Sequence, residues 1–462
     1  TSITDTIKWI VRDPVTNGGA NFYAVDGSGD VYVSTDTGAS FAALGTQPTA
    51  GGEGQGLAIW KDHLFCARET ALDVYGPLSS SPNWNSGFKT DLTSDLEWHP
   101  MLPSKLDDKL YIGSGRYMAT LAEVAGETFL DDDTDTYAWS GGDSSNNALD
   151  LPQNYRIKCL AELGNNIMMG TWVANTTVGK NIKDNKIADI FTWDGQDTDY
   201  GNPIQMTENG VNAMINIGGN LYILAGIDGN IYKSNGVQAW KIGEIPISVA
   251  DTSGGKYLVP YPGAIINFKG KLFFGMSATE EDDFEMRDGV GIYSLTETSN
   301  GNILNLEHVI SDEVYGSANP TIIGALLGVG RDQLIAGWRN NTSYDIDLTT
   351  TTSFAYTTAY SGYFESRLRD VGTTLNRRKY NAMEFVLAKE LTDTEGIRVK
   401  FRINLTDSFT TIGTYLGTDI GSGNTSFRTE EINIPECEQI QVRVELLGTS
   451  TTTPEFKSLT LI

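Results

Sequence analysis

One pattern keeps returning along the chain: an apolar strand, a short polar turn, then a second strand of the form apolar–aromatic–apolar–small. One copy reads Gly56-Leu57-Ala58-Ile59-Trp60, Lys61-Asp62-His63, Leu64-Phe65-Cys66-Ala67; another reads Leu106, Asp107-Asp108-Lys109, Leu110-Tyr111-Ile112-Gly113. Later second strands are Ile167-Met168-Met169-Gly170, Leu221-Tyr222-Ile223-Leu224, Leu272-Phe273-Phe274-Gly275 and Leu334-Ile335-Ala336-Gly337, and Asn21-Phe22-Tyr23-Ala24-Val25 is a weaker first copy. The leading positions Phe22, Leu64, Leu110, Ile167, Leu221, Leu272 and Leu334 are 42, 46, 57, 54, 51 and 62 residues apart. Such a spacing holds one small four-stranded sheet per repeat.

Third strands with an alternating or aromatic pattern follow most hairpins, as in Val31-Tyr32-Val33-Ser34 and Gly291-Ile292-Tyr293-Ser294. Apolar inner strands and amphipathic outer ones are what radial packing of sheets demands, because inner strands are covered on both faces. The sequence therefore predicts an all-β chain with a seven-bladed β-propeller over residues 1–360. Its seam is expected near residues 1–20 and 350–362, where the strand-like Ile7-Lys8-Trp9-Ile10-Val11 has no partner of its own.

Beyond residue 360 the pattern changes to long period-2 runs. Ile397, Val399, Phe401, Ile403 and Leu405 share one face, with Arg398, Lys400 and Arg402 on the other; Ile440, Val442, Val444 and Leu446 alternate with Gln441, Arg443 and Glu445. Six or seven strands in residues 361–462 predict an antiparallel β-sandwich of jelly-roll or lectin-like type, each sheet burying one face.

Composition fits this picture: 50 glycines and only 20% charged residues suit many short strands joined by tight turns. The net charge of −26 is uneven. Residues 1–360 hold 21 Lys and Arg against 45 Asp and Glu, whereas residues 361–462 hold 12 against 14. So acidic a surface repels phosphate backbones, which argues against nucleic acid as a partner and in favour of solubility as the role of the charge. Cys66, Cys159 and Cys437 are too few and too scattered for a disulfide framework or zinc site, and are expected as buried thiols. No run approaches the apolar length needed to span a membrane. A chain opening at Thr1 without Met or signal peptide is expected to be processed, trimmed or incomplete there.

Candidate chemistry is sparse. Ser34-Thr35-Asp36-Thr37-Gly38-Ala39-Ser40-Phe41 resembles the Asp-box of propeller blades, in which Ser34, Asp36, Gly38 and Phe41 form a structural turn. The aspartate caps amides, the glycine takes a conformation other residues resist, and the aromatic packs back. An Asp-box invites a sialidase reading. Yet the seven arginines of residues 1–360 (Arg12, Arg68, Arg116, Arg156, Arg287, Arg331 and Arg339) lack the Arg-Ile-Pro context of that family's arginine triad. Glycosidases in general need only two suitably spaced carboxylates, and these cannot be picked out of 45 acidic residues. Asp131, Asp133 and Asp135 alternate as in a calcium loop but lack its glycine and closing glutamate, and Glu280–Asp283 is a second acidic run; both read as solvated loops. The histidines His63, His99 and His308 are too dispersed for a metal site, so neither metal nor cofactor is expected. Trp139, Trp172 and Trp193, in or beside the long insertions 126–154 and 171–186, are candidates for stacking on a glycan or anchoring a partner, or for packing within the blades.

The C-terminal region carries a resemblance. Gly362-Tyr363-Phe364, Leu375-Asn376-Arg377-Arg378-Lys379-Tyr380, Phe385-Val386-Leu387-Ala388-Lys389, Val399-Lys400-Phe401-Arg402, Ile412-Gly413-Thr414 and Pro454-Glu455-Phe456-Lys457-Ser458-Leu459-Thr460-Leu461 resemble tailed-phage virion proteins that join propeller-like repeats to a final sandwich. The resemblance implies a non-enzymatic, multi-copy structural or attachment component of a virus particle, on the tail or virion surface. It would be assembled in the host cytoplasm with other virion proteins and would contact the host surface. The basic run Arg377, Arg378 and Lys379 is the expected assembly contact. The alternative is a secreted or cell-surface, lectin-like propeller that binds glycan, with a sialidase-like glycoside hydrolase as the remaining reading.

Overall fold

The structure is a computed structural model that describes residues 3–45, 54–93, 98–123, 138–173, 187–245, 258–278, 290–298, 301–308, 321–330, 333–340, 343–349, 363–366, 369–371, 377–387, 390–391, 395–404, 407–417, 427–447 and 456–462. The chain divides into two compact units, one of Thr1–Ile245 with Gly255–Thr349 and one of Pro246–Gly254 with Thr350–Ile462. The expected junction at 350–362 and the acidic runs at 131–135 and 280–283 lie outside the described residues.

Among the described residues the first unit is seven antiparallel sheets, each of strands consecutive in the chain. Sheet 1 is Ile7–Arg12, Phe22–Asp26, Val31–Ser34 and Ala42–Ala43; sheet 2 is Gly54–Trp60, His63–Arg68, Ala71–Gly76 and Asn83–Lys89. Sheet 3 is Met101–Pro103, Leu110–Ser114, Tyr117–Ala122 and Ala138–Ser140, with Leu149–Asp150 also on its third strand. Sheet 4 is Tyr155–Leu163, Asn166–Val173, Ala188–Trp193 and Ile204–Met206; sheet 5 is Val211–Ile217, Asn220–Ala225, Asn230–Ser234 and Ala239–Glu244. In sheet 6, Leu258–Val259 and Ile265–Phe268 both pair with Lys271–Ala278, followed by Gly291–Thr298 and Gly301–His308. Sheet 7 is Ile322–Val329, Gln333–Asn340 and Ser343–Leu348.

The repeated hairpins of the sequence are the first and second strands of these sheets. Their apolar side chains pack between neighbours, so a buried cluster lies between sheets 1 and 2, 2 and 3, 3 and 4, 4 and 5, and 6 and 7. A further cluster joins Ile7, Ile10, Phe22, Ala24 and Tyr32 of sheet 1 to Ala325, Val329, Ile335 and Ile346 of sheet 7. Burial falls outward: His63–Arg68 is buried throughout, whereas Asn83–Lys89 at the edge of the same sheet is largely exposed or half-buried. The segment Ile7–Arg12 differs from expectation. It pairs with Phe22–Asp26 as the first strand of its own sheet and meets sheet 7 through side-chain packing.

That meeting is close. A Cβ on Gly324 would lie 1.8 Å from the carbonyl oxygen of Ile7, so only glycine lets the first strands of sheets 7 and 1 approach this far.

The second unit holds two antiparallel sheets. In one, Tyr363–Glu365 and Arg369–Asp370 pair with Gln439–Leu447, which pairs with Gly396–Arg402, which pairs with Thr410–Leu416. In the other, Phe427–Cys437 and Phe456–Leu461 flank Arg378–Leu387. Met383, Phe385, Leu387 and Ile434 of the second sheet share one buried cluster with Ile397, Val399, Val442 and Val444 of the first. The opposite face is polar but covered. Glu445 is 7% exposed beneath Arg398 and Lys400, and Gln441 is fully buried while accepting from Arg402 Nε at 2.7 Å.

Gly324→Ala is expected to destabilise the first unit by about 3 kcal/mol through the clash with the Ile7 carbonyl. Gly45→Ala, whose added methyl would meet nothing within 4 Å, is expected to change stability by less than about 0.5 kcal/mol. Denaturant unfolding of the two variants side by side checks the difference.

Candidate functional site

The first strands of five sheets share an irregularity near their beginnings. Pairing with the second strand slips between Ile7 and Trp9, Gly54 and Gly56, Ile157 and Cys159, Val211 and Ala213, and Ile323 and Ala325. The extra residues are Lys8, Gln55, Lys158, Asn212 and Gly324. A bulge takes one residue out of the ladder and re-aims its side chain. In sheets 3 and 6 the chain reaches the same place through Trp98-His99-Pro100 and Tyr261-Pro262-Gly263.

Here five side chains from five sheets meet. The Lys8 ammonium lies 4.9 Å from the centroid of the Trp98 ring and the Lys158 ammonium 5.8 Å from it. Tyr261 stands edge-on to Trp98, with centroids 5.2 Å apart. Lys158 Nζ donates to Asn212 Oδ1 at 2.7 Å, and Asn212 Nδ2 donates to the Gly226 carbonyl at 2.7 Å. Trp98, Lys158 and Asn212 are buried, while Lys8 and Tyr261 are half-buried. Cations over the indole face gain from the ring quadrupole, and more so when desolvated. The group combines aromatic surface with hydrogen-bonding ends, the usual make-up of a small-molecule site.

Beside Trp98, His99 is fully buried, with Nδ1 3.0 Å from the Gly113 carbonyl and Nε2 2.6 Å from the Glu69 carbonyl. It ties the first strand of sheet 3 to the hairpins of sheets 2 and 3, and burial pushes its pKa down.

Four buried carboxylates each hydrogen-bond within one sheet or its leading loop. Asp26 Oδ2 accepts from Tyr32 at 3.0 Å, and burial pushes its pKa up. Asp73 pairs with Arg68 and accepts from the Gly87 amide at 2.6 Å. Asp189 Oδ2 accepts from Tyr155 at 2.5 Å; burial and this carboxylate push the Tyr155 phenol up to about 12. Glu208 Oε1 accepts from Asn230 Nδ2 at 2.9 Å and from Tyr232.

The three tryptophans picked from the sequence do not form one surface. Trp139, in the outer strand of sheet 3, donates from Nε1 to Asp91 at 2.7 Å. Trp193 is buried, edge-on to Tyr111, and donates to the Asp197 carbonyl at 2.8 Å. Trp172 is half-buried beside Gly210. Since Trp193 pairs with Ile167, Trp172 stands five residues farther along the same strand, about 17 Å away. Arg377, Arg378 and Lys379 are exposed, with Arg377 paired to Glu438 at 3.2 Å.

The residues of the Asp-box-like segment are hydrogen-bonded to one another. Ser34 Oγ donates to Asp36 Oδ1 at 2.7 Å and accepts from the Gly38 amide at 2.9 Å. Asp36 accepts from the Ser40 amide at 2.9 Å and its hydroxyl at 2.6 Å; Gly38 has φ +86°, and Phe41 packs on the cluster between sheets 1 and 7. Sequence reasoning missed Lys8, Trp98, Lys158, Asn212 and Tyr261. The available signal was a polar residue directly after the first apolar residue of an inner strand, as in Ile7-Lys8, Ile157-Lys158 and Val211-Asn212.

No family model matches the sequence, and no curated protein is similar to it. Solved structures of similar fold include the β-propeller domain of Cps50 (Swd1) from Myceliophteria thermophila, 7% identical over 75% of this chain and 98% of that one, with TM-score 0.45. YjhT is 12% identical over 66% of this chain and 98% of its own, with TM-score 0.40. A glycoside hydrolase family 43 arabinoxylan arabinofuranohydrolase from Bacillus subtilis, in complex with cellotetraose, is 11% identical over 99% of this chain and 96% of its own, with TM-score 0.32. The described residues are all-β, and β-propeller structures stand among those the chain is similar to. The expectation that it is not an enzyme is corrected. A glycoside hydrolase stands among its structural neighbours, and the missing arginine context excludes one mechanism on this fold and not glycoside hydrolysis as such.

Hydrogen bonds from Ser40 and Ser34 lower the Asp36 carboxyl from 3.8 to about 2. A depressed carboxylate stabilises the folded state above its unfolded pKa, and that contribution is lost as pH falls through the folded value. Asp36→Ala is expected to cost about 1 kcal/mol at neutral pH, with the gap to wild type narrowing from pH about 4 through about 2. Thermal unfolding across that range checks it.

Proposed function

We propose that the protein is a glycan-binding, seven-bladed β-propeller with a C-terminal β-sandwich, and that glycan binds where the first strands begin. One observation carries this reading: Trp98, Tyr261, Lys8, Lys158 and Asn212 converge from five sheets on one place. An aromatic body with polar ends suits a sugar, whose rings offer C–H faces and whose rims offer hydroxyls. A glycan array with a parallel assay for released reducing sugar tests it. Binding to a subset of glycans is expected, weakened about tenfold by Tyr261→Ala, equivalent to about 1.4 kcal/mol. Absence of binding and turnover across the array would contradict the reading.

A second reading is favoured by the C-terminal residues that resemble tailed-phage virion proteins. In it the chain is a particle component, assembled in the host cytoplasm, whose sandwich docks on acidic neighbours through Arg377, Arg378 and Lys379. Complementary charge mainly steers association and is screened beyond roughly 8 Å at physiological salt. Changing the three residues to Ser is expected to slow incorporation into particles most at low ionic strength. Unchanged incorporation at every salt concentration would remove this reading.

A further inference from the structure

His99 meets, on both sides of its ring, groups that can only accept a hydrogen bond. Nδ1 lies 3.0 Å from the Gly113 carbonyl oxygen and Nε2 2.6 Å from the Glu69 carbonyl oxygen. A neutral imidazole has one N–H and one bare nitrogen. It can donate to one of these oxygens, and then sets a lone pair against the other. Exchanging tautomers moves the mismatch to the other end without removing it. Only the imidazolium donates to both carbonyls.

The ring has little freedom to turn away. His99 is fully buried, and its backbone is pressed against sheet 2, where a Cβ on Gly56 would lie 1.9 Å from the His99 carbonyl oxygen. Gly113 belongs to the second strand of sheet 3 and donates its amide to the Pro100 carbonyl at 2.9 Å. Glu69 sits in the turn between the second and third strands of sheet 2 with φ +44°, a region that residues bearing a Cβ seldom enter. In that conformation its carbonyl meets Nε2.

Neighbouring charges do not set the state of the ring. Glu69 is exposed, Arg68 pairs with Asp73 in the same hairpin, and Lys8 and Lys158 stand over Trp98. Burial acts on the ring first and pushes its pKa below the usual histidine value, while the two carbonyls pull it up.

We infer that His99 is a proton-operated latch between sheets 2 and 3. Protonated, it ties the Glu69 turn to the second strand of sheet 3 in the arrangement seen; neutral, it releases one of the two carbonyls. Trp98 is the adjacent residue and shifts with it, so the indole at the meeting place of the first strands has a proton-bound and a proton-free position. The inference concerns the latch and not the ligand, and it stands apart from the glycan reading. By reciprocity, whatever requires Trp98 in the position seen binds more tightly as pH falls.

The test is nitrogen NMR of the full chain labelled at its three histidines, assigned through their backbones. Fluorine NMR of the chain labelled with fluorotryptophan runs beside it, with Trp98 assigned by Trp98→Phe. From pH about 8 to about 4.5, His99 is expected to pass from one bare nitrogen to two N–H groups, with a midpoint below 6.5. The Trp98 resonance is expected to move with the same midpoint. His99→Gln, whose amide donates at one end and accepts at the other, should abolish that movement. Glu69→Gln should leave both transitions in place, since the latch uses only the backbone carbonyl of Glu69. Should His99→Gln fail to fold, agreement of the two midpoints in the unaltered chain decides. A bare nitrogen persisting to the acid end, two N–H groups persisting to the alkaline end, or a Trp98 resonance that keeps still while His99 titrates overturns the latch.

Discussion

First strands from seven sheets must crowd together without leaving backbone groups unpaired or side chains overlapping. Apolar clusters join sheets 1 to 5 in succession, sheet 6 to sheet 7, and sheet 7 to sheet 1. Where strands come nearest there is room for a carbonyl oxygen and little else, so Gly324 faces the Ile7 carbonyl and Gly263 the Lys8 carbonyl. Everything farther out is less constrained, as the falling burial from second to outer strands records.

The same crowding makes the centre a suitable place for recognition. Lys8, Lys158 and Asn212 are positioned by strands, which hold geometry more tightly than loops, and Trp98 and Tyr261 stand on the short segments beside them. The bulges resolve a conflict between ladder and centre: they keep the first strand paired to its sheet while freeing one residue in five of the seven sheets. Buried polar groups are costly unless satisfied, and here the chain from Gly226 through Asn212 to Lys158 satisfies them in sequence.

Much of the fold was legible because its strands are buried in characteristic ways. Leu64-Phe65-Cys66-Ala67 and its counterparts are apolar on both faces, which a period-2 surface strand would not be. The alternation of Ile397, Val399 and Phe401 likewise marked one face of the second unit's sheet, and the Asp-box fixed its own turn through local bonds. The centre was not legible. A polar residue after the first apolar one of an inner strand is a weak mark of a bulge, so Lys8 and Lys158 read as ordinary polar positions, and Trp98 sits between segments too short to show a period. Gln441 and Glu445 read as outward-facing and are buried, because Arg398, Lys400 and Arg402 on the neighbouring strand lie across them. Long aliphatic stems of charged residues cover sheet surface that alternation alone assigns to solvent.

If the meeting place of the first strands is where the molecule binds sugar, a crystal structure of the protein with a bound oligosaccharide will show sugar density against Trp98 and Tyr261, within hydrogen-bond reach of Lys8 and Lys158. Sugar seated only on an outer strand, for instance beside the exposed Trp240 of sheet 5, with the centre closed to it, would contradict it.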